Sequence, residues 1–292
     1  MQIRFKIILV VIILFILSFS ALKLSRVLPV ESSKTFQTMG TFVTIKLKST
    51  DAKTDIQTAY NKIKELEKKL NRFDPQSEVS KINNANPYVK IKISKDTYNC
   101  IALAKQVSKV TNGAFDITLS GNYQNINLNP NDYSIEKLKK DIYINLDGIA
   151  KGFAVEKARD LLFKRGIKDG IIDATSSIAI FEIPKRIGIK DPFKKDHVFE
   201  DFILGHGKAL STSGIYEQGN HIINPKTGKT PKTWVSVTVI GQDAGFLDGL
   251  STGLFVMEER EALSLLKELY LSAILIKKDG KVIKVNYENS SS

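Results

Sequence analysis

The sequence predicts an α+β fold, a single large globular unit of two packed α/β lobes. Three observations predict it. Strand-like and helix-like segments mix along the 292 residues without a regular βαβ rhythm, which disfavours a doubly wound parallel sheet. Apolar residues make up 42% and charged residues 25%, an ordinary globular balance that excludes disorder and fibrous repeats. The length is near twice that of a common domain, room for one large domain or two lobes, and no repeat or low-complexity linker divides it.

Residues 1–30 stand apart from residues 31–292. They carry Arg4, Lys6, Lys23 and Arg26 and no acid, around sixteen uncharged residues from Ile7 to Leu22. A basic start, an apolar run and small residues at Ser18, Ser20 and Ala21 read as a signal peptide or an N-terminal membrane anchor helix. The run is short for a span, which needs about 17–25 residues, so cleavage after Ser20 and retention as an anchor both fit. Basic residues ahead of the run put the remainder outside the cytoplasm, exported as a periplasmic or membrane-anchored protein. Those four basic residues account for part of the net charge of +12. The other lysines are scattered, as on a solvated surface, and no nucleic-acid partner is expected.

Residues 35–49 are rich in β-branched and aromatic side chains around Gly40 and read as strand–turn–strand. Residues 54–72 place Ile56, Tyr60, Ile63, Leu66 and Leu70 at helical spacing. A second helix starts at a Ser94 cap and stops at Gly113, with Tyr98, Ile101, Ala102 and Val107 inward. A third covers residues 151–165, closed by Gly166, and residues 171–181 read as one buried strand. Residues 245–269 hold two more helices, broken near residues 258–260. The chain closes in a hairpin whose Asp279-Gly280 pair suits a type I′ turn.

The single cysteine, Cys100, excludes a disulfide framework and a Cys-rich metal site, and three histidines leave little for a His-rich one. Any metal is then held by oxygen, which points to magnesium or calcium. Asp248 and Thr252 lie four apart on a predicted helix and share a face, as an oxygen site for magnesium requires. The plain alternative is that Asp248 caps or salt-bridges a helix. Leu146-Asp147-Gly148-Ile149-Ala150-Lys151-Gly152-Phe153 sets glycines at a helix start, where free N–H groups and the helix dipole attract phosphate.

Four further stretches join these two: Thr38-Met39-Gly40-Thr41, Gly113-Ala114-Phe115-Asp116-Ile117-Thr118, Thr212-Ser213-Gly214 and His221-Ile222-Ile223-Asn224-Pro225. In this order and spacing the six resemble the ApbE family, the FAD:protein FMN transferases, across roughly residues 35–285. The resemblance implies an ApbE-like, T-fold-related unit with FAD as substrate and Mg2+ as cofactor. It assigns Ala150, Asp248 and Thr252, with Ser251, to the metal. It assigns Met39, Phe73, Ala114, Phe115, Asp116, Asp147, Lys151, Phe153, Thr212 and Ile222 to the flavin nucleotide. Asp248, Asp147 and His221 are the catalytic candidates, with the general base open between Asp248 and Asp147.

The implied reaction passes the FMN moiety to a Thr or Ser hydroxyl of an exported or membrane-bound redox protein and releases AMP. An FAD pyrophosphatase and an exported FAD-binding protein without turnover are the rival readings. Two departures bear on them. Thr175-Ser176-Ser177 stands where the family usually has a Gly-Gly-Asp turn, and the segment between Thr118 and Asn145 is short and polar.

Overall fold

The chain opens on a hairpin, β1 (Val30–Thr38) and β2 (Thr41–Ser49), followed by helices α1 (Ala52–Leu70) and α2 (Glu78–Asn84). Strand β3 (Ile91–Lys92) leads to helix α3 (Lys95–Val110), then to the pair β4 (Ile126–Asn129) and β5 (Ser134–Lys137). Helix α4 (Ala150–Lys164) precedes five strands: β6 (Asp169–Asp173), β7 (Ser177–Ile180), β8 (Lys185–Lys190), β9 (Val198–Leu204) and β10 (Ala209–Gly214). Strand β11 (Trp234–Gly241), helices α5 (Ala244–Val256) and α6 (Glu259–Glu268), and the hairpin β12 (Ser272–Lys277) and β13 (Val282–Val285) complete it. This computed structural model describes residues 28–118, 122–215 and 222–287.

Eight strands form one sheet in the order β1-β2-β6-β7-β10-β11-β12-β13, with β3-β5-β4 and β8-β9 as smaller sheets. Every strand pair is antiparallel, which is the α+β class expected from the missing βαβ rhythm.

Helix α1 buries Ile56, Ile63, Leu66 and Leu70 as its spacing predicts, and Tyr60 stacks on Phe36 at 3.9 Å. Helix α3 begins where the Ser94 hydroxyl accepts from Thr97 N–H. Its core face is Cys100, Ile101, Ala104 and Val107, whereas Tyr98 and Ala102 are only half-buried. Helix α5 is buried almost all round, between β10 and β11 on one side and α3 and α4 on the other. Because α5 fills the centre, one hydrophobic cluster runs unbroken from β2 to β13 and takes in Ile126 and Ile135 of the smaller sheet. The two lobes expected from length are therefore one packed unit.

Two local expectations are corrected. Residues 171–181 are a hairpin, β6 and β7 around residues 174–176, and not one strand. Asp173 makes the turn by accepting from Thr175 N–H at 2.8 Å, with Thr175 in the left-handed region at φ +68°. The last hairpin turns by Gly280 N–H donating to Lys277 C=O, and of its Asp279-Gly280 pair only Gly280 has positive φ, +86°. That is a type I turn followed by a left-handed glycine, because type I′ needs positive φ at both residues. The apolar run of residues 7–22 lies outside the described residues. Among the described residues no helix is long and apolar enough to cross a membrane.

Candidate active site

A cleft of about 930 Å³ opens where the large sheet is interrupted. Pairing between β2 and β6 starts at Thr44↔Asp173, and pairing between β7 and β10 ends at Ser177↔Ser211. The ends of β2 (residues 41–43) and β10 (residues 212–214) thus run on past the β6–β7 turn. All three stretches contribute to the cleft wall.

Its floor is set by the crossing of α4 and α5. Gly152 lies so close to α5 that a Cβ there would sit 2.2 Å from Ala244 O and 2.5 Å from the Asp248 Cβ. This contact brings Asp248, 4% exposed, against the open first turn of α4, where its Oδ2 accepts from Gly152 N–H at 2.9 Å. Ser211 Oγ donates to Oδ1 at 3.1 Å and is itself bonded to Ser177 Oγ. So Asp248 does cap a helix, as the plain alternative held, but the helix is α4 and the carboxylate still lines the cleft. Burial pushes its carboxyl up from the ordinary range, against the pull of Lys151 and of the groups that donate to it. Thr252 Oγ1 lies one turn on, donating to Asp248 C=O and 3.1 Å from Ser213 Oγ.

Ala150, Asp248 and Thr252 all line the cleft. Among the described residues no three His, Cys, Asp or Glu side chains are grouped to hold a metal. A single carboxylate with neighbouring hydroxyls does fit magnesium, which keeps waters and shares substrate phosphates. Ser251 does not reach the cleft. It is fully buried, and its hydroxyl is spent on Asp248 C=O and Ser213 Oγ.

Of the expected flavin contacts, Met39, Phe73, Ala114, Phe115, Asp116, Asp147, Lys151, Thr212 and Ile222 line the cleft. Phe153 does not. It is 2% exposed and belongs to the core between α3 and α4, because the helical turn that puts Ala150 and Lys151 on the cleft turns residue 153 away. His221 lies outside the described residues. Asp116 is occupied locally, accepting from Thr118 N–H and Oγ1 and from Tyr123 N–H. Asp147 is on the rim, 3.1 Å from Arg72 Nε, and the Arg72 guanidinium lies 4.0 Å from the centre of the exposed Phe73 ring.

Sequence reasoning missed Arg72 and Glu67. Arg72 belongs to the same Asn-Arg-Phe-Asp-Pro stretch as Phe73 and offered a cationic signal there. Glu67 carried none. It accepts from Met39 N–H at 2.7 Å and Thr38 Oγ1 at 2.9 Å, and pairs with Lys64, fixing the β1–β2 turn over the cleft. Met39 (φ +54°) and Gly40 (φ +69°) are both left-handed, an arrangement that a non-glycine residue adopts only when held.

Burial alone would raise the Glu67 carboxyl, but Lys64, Thr38 and the Met39 amide together outweigh it and hold the pKa low. A depressed folded pKa means that the contact stabilises above the unfolded value, near 4.3, and is lost as pH falls through the folded value. Glu67→Gln is therefore expected to remove part of the acid sensitivity of unfolding below about pH 4. Urea titrations of both proteins from pH 3 to 7 check this; parallel pH profiles would contradict it.

Residues 39–121 and 119–275 match the ApbE family. An FAD:protein FMN transferase of Vibrio cholerae is 27% identical over 300 residues, covering 87% of this chain and 89% of that protein. One from Buchnera aphidicola is 28% identical over 277 residues, covering 77% and 81%. The crystal structure of the ApbE protein of Thermotoga maritima superposes with a TM-score of 0.80 at 26% identity, covering 87% of this chain and 97% of that one. The flavin transferase ApbE from Vibrio cholerae has the same fold, with a TM-score of 0.80 at 24% identity over 90% and 98%.

Proposed function

Because the chain belongs to the ApbE family, we propose that it is an FAD:protein FMN transferase whose acceptor is a Thr or Ser hydroxyl of an exported or membrane-bound redox protein. One observation carries the reading: a single cleft is lined by nine of the ten expected flavin contacts and by three of the four expected oxygen donors, Ala150, Asp248 and Thr252. The acceptor oxygen forms a bond to the phosphorus of the FMN half, the P–O bond of the bridge breaks, and AMP leaves with the bridging oxygen. The acceptor's proton passes to a cleft carboxylate, for which Asp147 on the rim and Asp248 on the floor are the candidates.

Asp248, Thr252 and the Ala150 carbonyl would hold Mg2+, which when bound neutralises charge on the diphosphate as a Lewis acid. Lys151, with no hydrogen-bond or ion-pair partner among the described residues, supplies a second positive charge at the start of α4. Met39, Ala114, Phe115 and Ile222 give the cleft apolar surface for a flavin ring, and Phe73 an exposed face for stacking. Of the three replaced positions, Thr175 keeps a left-handed backbone that glycine adopts readily; the Thr175-Ser176-Ser177 departure remains the feature that favours the rival reading of an FAD-binding protein without turnover.

Adding FAD to the folded protein should change flavin fluorescence, and AMP should appear only when magnesium is present. Absence of binding would sink the reading; binding without AMP would leave an FAD-binding protein. The domain is proposed to work outside the cytoplasm, with residues 1–30 as signal or anchor. A reporter that functions only in the cytoplasm, fused after Ser292, should be silent; an active one overturns that placement.

A further inference from the structure

We infer that Glu156 is a positioning residue for the Asp248 site, latching the start of α5 to α4 so that Asp248 meets Gly152. Glu156 lies outside the cleft, buried in α4, yet its Oε2 accepts from Ala244 N–H at 2.8 Å, the first residue of α5. Asp248 Oδ2 accepts from Gly152 N–H in return. Residues 152 and 156 on α4 thus meet 248 and 244 on α5, one turn apart on each helix and in opposite directions. Each helix supplies the carboxylate that satisfies an orphan amide at the other's N-terminus.

Two features make the pair of caps act as one. Between them Gly152 meets the Ala244 carbonyl with no side chain to absorb a shift, so movement at the start of α5 reaches Asp248 directly. Glu156 is itself fixed by Arg159, whose Nη2 donates to both carboxylate oxygens at 2.6 and 2.8 Å. The same guanidinium donates to the carbonyls of Ile180, Gly207 and Lys208, and to that of Gln242, two residues before α5. The latch is thereby tied to the end of β7 and to the turns before β10 and α5. Only its consequence for metal rests on the reading of Asp248 as a ligand; the coupling of the caps does not.

The test uses the full chain with Glu156→Ala, Glu156→Asp and Glu156→Gln, and reads amide hydrogen exchange at Ala244 and Gly152 without metal or flavin. A separate Mn2+ titration in the presence of FAD reads the metal. In any folded variant that frees Ala244, Gly152 exchange should rise with it, by about tenfold or more, and half-saturating Mn2+ should rise in step. Glu156→Gln, which keeps an oxygen for Ala244, should restore most of the protection at both amides. A variant that frees Ala244 and leaves Gly152 at wild-type exchange overturns the proposal, as does a set in which no folded variant frees Ala244. Wild-type protein with both amides protected and no Mn2+ bound would instead refute the metal reading and leave the latch standing.

Discussion

Asp248→Asn is expected to lower magnesium-dependent AMP release from FAD by roughly a thousandfold, about 4 kcal/mol, while the protein stays folded. The carboxylate is the only full negative charge among the floor donors, the others being hydroxyls and a carbonyl. An amide in its place removes that charge and leaves the metal to neutral oxygens, water and substrate phosphates. The amide's single oxygen can take the Oδ2 place and accept from Gly152 N–H, so α4 retains its acceptor, while its NH2 faces Ser211 Oγ, which can accept from it and donate to Ser176 C=O instead. Asp248→Ala would not separate the two effects, because it strands a buried N–H at a cost of about 1–3 kcal/mol. AMP release across a magnesium titration, with urea unfolding of both proteins, checks the prediction. Wild-type rates in folded Asp248→Asn at low magnesium would remove Asp248 from the chemistry.

Gly152→Ala should destabilise the protein by about 3 kcal/mol or more and abolish turnover with it. The added methyl meets backbone, Ala244 O at 2.2 Å, which no rotamer change relieves. The helices must part, and parting them breaks both reciprocal caps together. Gly205→Ala is the matched control: nothing lies within 4 Å of its Cβ position, and its change should stay within about 0.5 kcal/mol. Urea midpoints of the two variants check the pair; equal midpoints would mean that the crossing yields more readily than the geometry requires.

What could be read in advance followed local chemistry. The periodicity of α1 and the serine cap of α3 are properties of single segments, and they reappear in the fold. The cleft residues were legible because motif order stands in for tertiary proximity. Glu67 and Arg72 were not, since the cleft residues they bond, Met39 and Asp147, lie 28 and 75 residues away and no local pattern marks such a pairing. The β6–β7 turn was hidden by a β-branched residue in the left-handed region, although Asp173 two residues before Thr175 was its signal. Strand β8 carried the alternation of a half-buried strand, with Ile187 and Ile189 inward, and went unread, whereas β9 has no such alternation to read. Phe153 and Ser251 show the opposite case: they sit inside matching motifs, but the helix turns both side chains away from the cleft.

Transfer of the FMN moiety is tested most directly by covalent labelling of an acceptor. The protein is incubated with FAD, magnesium and membranes containing exported redox proteins, and the proteins are then denatured and separated. A transferase gives a fluorescent band that survives denaturation, a gain in acceptor mass equal to FMN less one water, and one AMP per label. FAD cleaved to FMN and AMP with every acceptor unlabelled would contradict transfer.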